Sequence, residues 1–158
     1  VRRIIPSPLG PIELRATDRG LSHATFLDEP PSHEQAWDPD TPAGGHLALA
    51  AEEFNSYFAG NRAPFTVPLD PGGTDFQRAV WTKLRAVPRG YTTTYGELAR
   101  AVGNPNGSQA VGAANGQNPL AVIVPCHRVV GTDGKLTGYA GGIERKTWLL
   151  RHESAALF

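Results

Sequence analysis

Cys126 is the only cysteine among 158 residues, and it sits in the run Pro125-Cys126-His127-Arg128-Val129. With no second thiol there is no internal disulfide. As a thiolate this side chain would be a strong nucleophile; a free thiol has a pKa of about 8.5, and a neighbouring imidazole can assist its deprotonation. Two readings stand side by side. An isolated cysteine is most often a small buried hydrophobe, and adjacency in sequence does not by itself bring an imidazole to a sulfur. Against that, Cys126 leaves an apolar run and follows a proline that fixes the backbone, which is how a nucleophile is held. Cysteine-rich zinc arrangements are excluded, because they need several thiolates or a close set of Cys and His. An unpaired thiol suits a reducing compartment, and the cytoplasm is the expected location.

The elements that must hold this box follow from periodicity and breakers. Leu120 to Val124 is an apolar run of strand length ending at Pro125, and it reads as a buried strand. Val129-Val130, a turn at 131–134 and Lys135-Leu136 resemble a hairpin, and 138–142 reads as a loop. A last helix is expected from about Ile143 to Glu153, with Ile143, Thr147 and Leu150 on one face. Upstream, Thr74 or Asp75 can cap a helix whose face is Phe76, Val80, Leu84 and Val87, closed by Pro88-Arg89-Gly90. Thr94 can cap a helix from Tyr95 to Val102, with Glu97 completing a capping box and Gly103-Asn104-Pro105 ending it. Ser108 then caps Gln109 to Gly116. Two short helices joined by a tight turn outline a helix-turn-helix, a pattern also found in helical hairpins that never meet DNA. The second helix has almost no large side chains and contains Gly112 and Gly116, each costing roughly 1 kcal/mol against alanine in a helix interior. Something must approach it closely, either a neighbouring helix or a nucleic acid backbone or groove.

The first half reads differently. Arg3–Ile5, Ile12–Ala16 and Leu21–Leu27, separated by Pro8-Leu9-Gly10-Pro11 and Asp18-Arg19-Gly20, fit a small antiparallel sheet. Residues 28–45 read as a loop, after which Leu47, Ala50, Phe54 and Tyr57 recur at helical spacing up to Gly60-Asn61. Residues 61–73, with Pro64, Pro68, Pro71 and Gly72-Gly73, are the expected linker between an N-terminal scaffold domain, 1–73, and a C-terminal domain, 74–158. The fold class is α+β. The net charge of zero conceals a split: residues 1–73 carry five basic and ten acidic side chains, and 74–158 carry ten basic and five acidic. A basic second half suits a polyanionic partner, although two solvated surfaces differing by chance would give the same numbers. The stretch up to Pro8 is too short and too broken by proline for a signal peptide, and no apolar run reaches membrane-spanning length, so a soluble protein is expected. Twelve arginines against three lysines hint at a GC-rich bacterial genome.

From Asp75 to Glu153 the chain resembles the O6-alkylguanine-DNA alkyltransferases, the methylated-DNA-protein-cysteine methyltransferase family. The resemblance rests on the Pro125–Val129 box, Gly103-Asn104-Pro105, Asn118-Pro119, Gly138-Tyr139 and the ending Trp148-Leu149-Leu150-Arg151-His152-Glu153. The N-terminal part resembles, more loosely, the ribonuclease-H-like domain of the same family, paired there with a mainly helical domain that carries the helix-turn-helix. The family scheme implies DNA repair by direct damage reversal. Cys126 accepts the alkyl group, His127 is the base acting through a bound water, and Glu153 orients His127. Asn118 braces the turn around the cysteine. Tyr95 helps rotate the damaged nucleotide and hydrogen-bonds its base. On the residues alone, Asn118 reads as a turn residue and Tyr95 as a packing residue. A guanine inside a duplex is out of reach of a sulfur, so it must be flipped out at a cost of a few kcal/mol. The implied base pocket is formed by Tyr95, Cys126, Val129, Tyr139 and Ala140, with the Cys126 and Val129 carbonyls accepting from the exocyclic amine and the Ala140 amide facing O6. The implied DNA contacts are Thr94, Tyr95, Ser108, Gln109, Ala110, Gly112, Ala113 and Arg128. No cofactor, metal or obligate protein partner is implied; the protein would act as a monomer on double-stranded DNA, and a thioether that nothing regenerates limits it to one turnover.

Two positions depart from the family pattern. Gln109 stands where an arginine usually enters the base stack; it can hydrogen-bond the orphaned cytosine but supplies neither cation stacking nor phosphate attraction, so weaker binding or flipping is expected. Ala140 replaces the serine of some relatives, which leaves the pocket lip open to alkyl groups larger than methyl. The lack of a second cysteine removes the metal-binding cysteines of adaptive-response relatives and the zinc site of some larger ones, and points to the constitutive type. Two other classes remain: a cysteine hydrolase using Cys126, His127 and Glu153, and a non-catalytic reader of altered bases, although such readers have the cysteine replaced.

Overall fold

The computed structural model describes residues 1–33, 36–136 and 138–153. Alternating burial makes the first sheet. Strands β1 (Arg2–Ile5), β2 (Ile12–Thr17) and β3 (Gly20–Phe26) pair antiparallel in the order β1-β2-β3. In β2, Ile12, Leu14 and Ala16 are buried while Arg15 and Thr17 are exposed, the period of two expected of a strand with one wet face. Register is fixed by pairs such as Ile5 with Ile12 and Leu14 with Ala24. Helix α1 (Pro42–Phe58) lays Leu47, Ala50, Phe54 and Tyr57 against the sheet. It starts inside the stretch expected to be loop, because the Thr41 hydroxyl accepts from the Gly44 amide (3.0 Å) and Pro42 is preset for the first helical position. Glu34 and Gln35 of that stretch lie outside the described residues.

The expected linker, 61–73, is only in part a connector. The Glu53 carboxylate accepts from the amides of Thr66 (2.7 Å) and Val67 (2.8 Å), Val67 is buried, and Leu21 of β3 exchanges hydrogen bonds with Pro68 and Asp70. The chain forms two compact units, Val1–Gly72 with Pro119–Ala121, and Gly73–Asn118 with the described residues from Val122 onward. The excursion of Pro119–Ala121 into the first unit is a crossing that a simple division near residue 73 does not contain. There the Ala24 amide donates to the Pro119 carbonyl (2.8 Å) and the Ala121 amide donates to the Ala24 carbonyl (3.0 Å).

In the second unit, helix α2 (Asp75–Arg85) opens on a reciprocal cap. The Thr74 hydroxyl accepts from the Gln77 amide (3.1 Å), and the Gln77 side chain accepts from the Thr74 amide (2.9 Å). The buried Trp81 indole donates to the Ala114 carbonyl at 2.8 Å. Helix α3 (Tyr95–Ala101) is capped by Thr94, but the Glu97 carboxylate accepts from the Thr93 hydroxyl (3.0 Å), so the expected box forms in one direction only. Helix α4 (Ser108–Gly116) packs on α2 and α3. Ser108 is its first helical residue and not its cap; the cap is Gly107, which has no side chain to bond, and Asn104 folds back to within 2.3 Å of where one would begin.

Three other expectations change. Leu120–Val124 is a single bridge followed by a turn, not a strand, and Val122 takes a left-handed φ of 71° that ends any extended run. The hairpin at 129–136 does not form: β5 (Val129–Val130) pairs in parallel with β4 (Thr93–Thr94), while Gly131 closes a turn with Lys135 at 2.8 Å. Helix α5 (Ile143–His152) buries Lys146, Leu149 and Leu150, leaving Ile143 exposed; a lysine inside the buried stripe disguised the pattern.

Candidate active site

Cys126, His127 and Arg128 form one 3-10 turn after Pro125, and all three are buried. The turn is tied at both ends: the Arg128 amide donates to the Pro125 carbonyl (2.9 Å) and the Cys126 amide to the Val124 carbonyl (2.8 Å). Asn118 Nδ2 donates to the same Val124 oxygen at 2.7 Å, and the Asn118 side chain also hydrogen-bonds the sulfur. One amide thus sets the backbone before the nucleophile and the nucleophile itself. Burial pushes the Cys126 thiol above its ordinary value, while Asn118, the Lys146 charge and Tyr139 pull it down.

His127 has no exposed surface, and its Nε2 lies 2.8 Å from Glu153 Oε2. Glu153 is 1 % exposed and ends α5. An ionised carboxylate only accepts, so Nε2 carries the hydrogen and Nδ1 the lone pair. Nδ1 is buried and, among the described residues, makes no hydrogen bond. Burial lowers the His127 pKa, opposed by Glu153 and reinforced by the charges of Arg128 and Lys146, so the ring is neutral at pH 7 and able to take a proton.

Arg128 corrects an expectation. Its guanidinium does not face a DNA surface: Nε donates to Glu153 Oε1 (2.8 Å), Nη2 to Glu153 Oε2 (2.9 Å) and Nη1 to the Val87 carbonyl (2.7 Å). The planar fork is matched to the carboxylate, which holds Glu153 in the plane that meets His127. Burial alone would raise the Glu153 carboxyl, but His127 and Arg128 reverse that and hold it well below the usual carboxylate range.

Two further groups complete the surroundings of the sulfur. Tyr139 has its hydroxyl shut from solvent beside Cys126 but, among the described residues, without a well-formed hydrogen bond; burial and the nearby thiolate charge drive it well above the usual phenol value. A side chain on Gly141 would begin 2.6 Å from the Tyr139 ring, so that glycine lets the ring lie where it does. Lys146, which sequence reasoning missed, has no exposed surface, and its ammonium donates to the Val129 carbonyl. Its signal in the sequence is its spacing of three and four residues from Leu149 and Leu150. The Cys126 carbonyl likewise accepts from the Val129 amide. A carbonyl oxygen can accept twice, so neither contact excludes a bound base.

The residues expected at DNA divide by exposure. Ser108, Gln109, Ala110 and Ala113 are exposed along α4, whereas Thr94, Tyr95 and Gly112 are half-buried. A side chain added at Gly112 would begin 3.8 Å from the Tyr95 ring, so close helix packing accounts for that glycine; nothing lies within 4 Å of the equivalent point on Gly116. Ala140 is exposed and Val129 fully buried. Among the described residues, no group of three or more His, Cys, Asp or Glu could hold a metal ion, and no helix is long and apolar enough to cross a membrane.

Both halves of the chain have known counterparts. Residues 75–155 match the DNA-binding domain of 6-O-methylguanine DNA methyltransferase, and residues 1–71 match the ribonuclease-like domain of the same family. The methylated-DNA-protein-cysteine methyltransferase of Mycobacterium tuberculosis is 46% identical over 157 residues, spanning 97% of this chain and 92% of that protein. The enzyme of that name from Methanosarcina acetivorans is 45% identical over 96% of this chain and 97% of its own length. The crystal structure of Mycobacterium tuberculosis OGT in complex with DNA superposes with a TM-score of 0.84 at 46% identity, covering 98% of this chain and 92% of that one. With a sole cysteine held beside a buried histidine and glutamate, and with both domains matched, the chain belongs to the 6-O-methylguanine-DNA methyltransferase family.

Proposed function

We propose that this protein repairs O6-alkylguanine in double-stranded DNA by transferring the alkyl group irreversibly to Cys126, once per molecule. The observation that carries the reading is the pairing of a braced thiol, Asn118 on Cys126, with a His127 ring whose far nitrogen is fixed by Glu153. The thiol proton passes to His127 Nδ1, relayed by water, since that buried acceptor has no partner among the described residues. The sulfur lone pair forms the new S–C bond as the C–O6 bond breaks, and its electron pair stays on guanine. The proton held by His127 then neutralises the departing base, so the products are a thioether and an intact guanine.

The damaged nucleotide is flipped out of the stack to meet the sulfur. Tyr95, Val129, Tyr139 and Ala140 line its pocket, and the exposed small residues of α4, from Ser108 through Ala113, approach the groove with α3 and α4 acting as a helix-turn-helix. Gln109 stands at the start of α4, where the side chain would fill the gap left in the stack. The exposed lip at Ala140 admits adducts larger than methyl. The domain division follows: a scaffold in the first half, binding and transfer in the second. Action as a cytoplasmic monomer belongs to the same proposal, because the thiol must remain reduced.

Incubation with a duplex carrying one O6-methylguanine, followed by intact mass, tests this. A stoichiometric methyl-sized gain on Cys126, lost in Cys126→Ala, is expected. Multiple turnovers would favour a hydrolase, and an unchanged mass a non-catalytic reader.

A further inference from the structure

Asn115 is a buried amide that no step of the proposed reaction uses. It lies near the end of α4, is 6 % exposed, and its Oδ1 has no hydrogen-bond donor among the described residues. Leaving such an acceptor unpaired is costly, and a leucine would fill a similar volume without that cost while favouring the helix more strongly. Its neighbours along α4 place it. Gly112, Asn115 and Asn118 recur every three residues, a spacing that sets them along one side of a helix. The first meets Tyr95, whose ring lies 3.8 Å from where a side chain on Gly112 would begin. The last extends the line beyond α4: its backbone amide donates to the Asn115 carbonyl at 3.3 Å, and its side chain bonds the Cys126 sulfur. Asn115 therefore stands between Tyr95 and Cys126, the wall and the nucleophile between which the proposed reaction sets the extruded base.

We propose that Asn115 is a specificity residue: its Oδ1 accepts from the exocyclic amine of the flipped O6-alkylguanine and so selects guanine adducts over those of a purine without that amine. This role deepens the proposed repair reaction and rests on it. Alkylation at O6 leaves N1 without a hydrogen, and N9 is bonded to the sugar, so the amine carries the only N–H groups that the base can donate. Two hydrogens need acceptors. The backbone carbonyls on the nucleophile's turn are each partly occupied, that of Val129 by the Lys146 ammonium and that of Cys126 by the Val129 amide. One lone pair remains on each. The Asn115 oxygen has both of its lone pairs open among the described residues, which makes it the acceptor best able to take one of the two hydrogens. The amide that is costly in the free protein is then satisfied only when a guanine is bound.

Two duplexes that differ only in the 2-amino group, one carrying O6-methylguanine and the other O6-methylhypoxanthine, test this. Single-turnover transfer to Cys126 is followed by intact mass for wild type, Asn115→Leu and Asn115→Ala. Wild type should prefer the guanine adduct, and in both variants that preference should shrink by about three- to tenfold, the share of one neutral hydrogen bond. Transfer from the hypoxanthine adduct should stay within about twofold of wild type, because there the amide has nothing to accept from. Any difference in how the two bases pair within the duplex is common to the three proteins and cancels in the ratio. If the Leu variant does not fold, Ala, which only removes atoms, decides by the same ratio. A wild type without the preference, or variants that keep it or slow both substrates equally, would overturn the proposal, leave Asn115 a helix-packing residue and leave the repair reading standing. A wild type that takes no methyl group from either duplex would sink both.

Discussion

Replacing Arg128 by alanine separates a clamp inside the site from a contact with DNA. Three hydrogen bonds would be lost, two to Glu153 at 2.8 and 2.9 Å and one to the Val87 carbonyl at 2.7 Å. Glu153 is 1 % exposed, so the variant keeps a carboxylate buried with the His127 ring still bonded to it but without the guanidinium. Removing one partner of a buried ion pair costs about 3–5 kcal/mol. At about 2–4 °C per kcal/mol for a chain of this size, Tm should fall by roughly 6–20 °C. The pH dependence has a definite sign. Burial would raise the Glu153 carboxyl, but its partners hold it below the carboxylate range in the fold. A carboxyl depressed in this way stabilises fully above its unfolded pKa of about 4.3, and that contribution is lost as pH falls toward the folded value. Without Arg128 the folded value rises. The deficit of the variant is therefore full at neutral pH and shrinks below about pH 4. Denaturation from pH 3 to 8, paired with DNA affinity against salt, checks both halves. A Tm within a degree or two of wild type, together with a salt dependence shallower by about one phosphate contact, would mean that Arg128 reaches DNA and that the clamp is misread.

Asn118→Ala removes the bond to the Val124 carbonyl and the one to the sulfur, at a cost of about 1–3 kcal/mol, and lets the thiol rise further; a transfer rate within twofold of wild type would contradict the bracing role. Gly141→Ala would begin a side chain 2.6 Å from the Tyr139 ring and displace it, so transfer from an O6-alkylguanine duplex should slow; an unaltered rate would show that the ring position is dispensable. Gln109→Arg adds a cation to an exposed residue in the first turn of α4. DNA affinity should rise with a salt slope steeper by about one, and repair should quicken; equal affinities and rates for the two proteins would rule this out.

What the sequence disclosed was mostly what neighbours in sequence decide. The caps at Thr74 and Thr94, the alternation in β2 and the apolar spacing of α1 each depend on residues a few positions apart, and each formed, although the box expected at Thr94 closed in one direction only. The nucleophile box was legible for the same reason. Arg128 was expected at DNA from the resemblance, and the sequence offered no correction because its partner Glu153 lies 25 residues away. Lys146 went unseen because charge ordinarily marks the wet face of a helix. Leu120–Val124 has the composition of a strand, but Pro119 and Pro125 bound it and Val122 reverses it. Its fate was settled by Asn118 and Ala24, one pulling on Val124 and the other docking Pro119 and Ala121.

That docking bears on solubility. β3 is an outer strand of its sheet, and an open strand edge invites pairing with a second chain. Here the edge is closed in two places, by Leu69 opposite Leu21 and by Leu120 opposite Ala24. Each covering piece carries a proline, Pro68 or Pro119, that offers a carbonyl inward and has no amide hydrogen with which to extend a ladder. The segment that delivers the nucleophile is thus also a stopper against edge-to-edge aggregation, so a substitution that frees Pro119–Ala121 should be recognised first by loss of soluble protein.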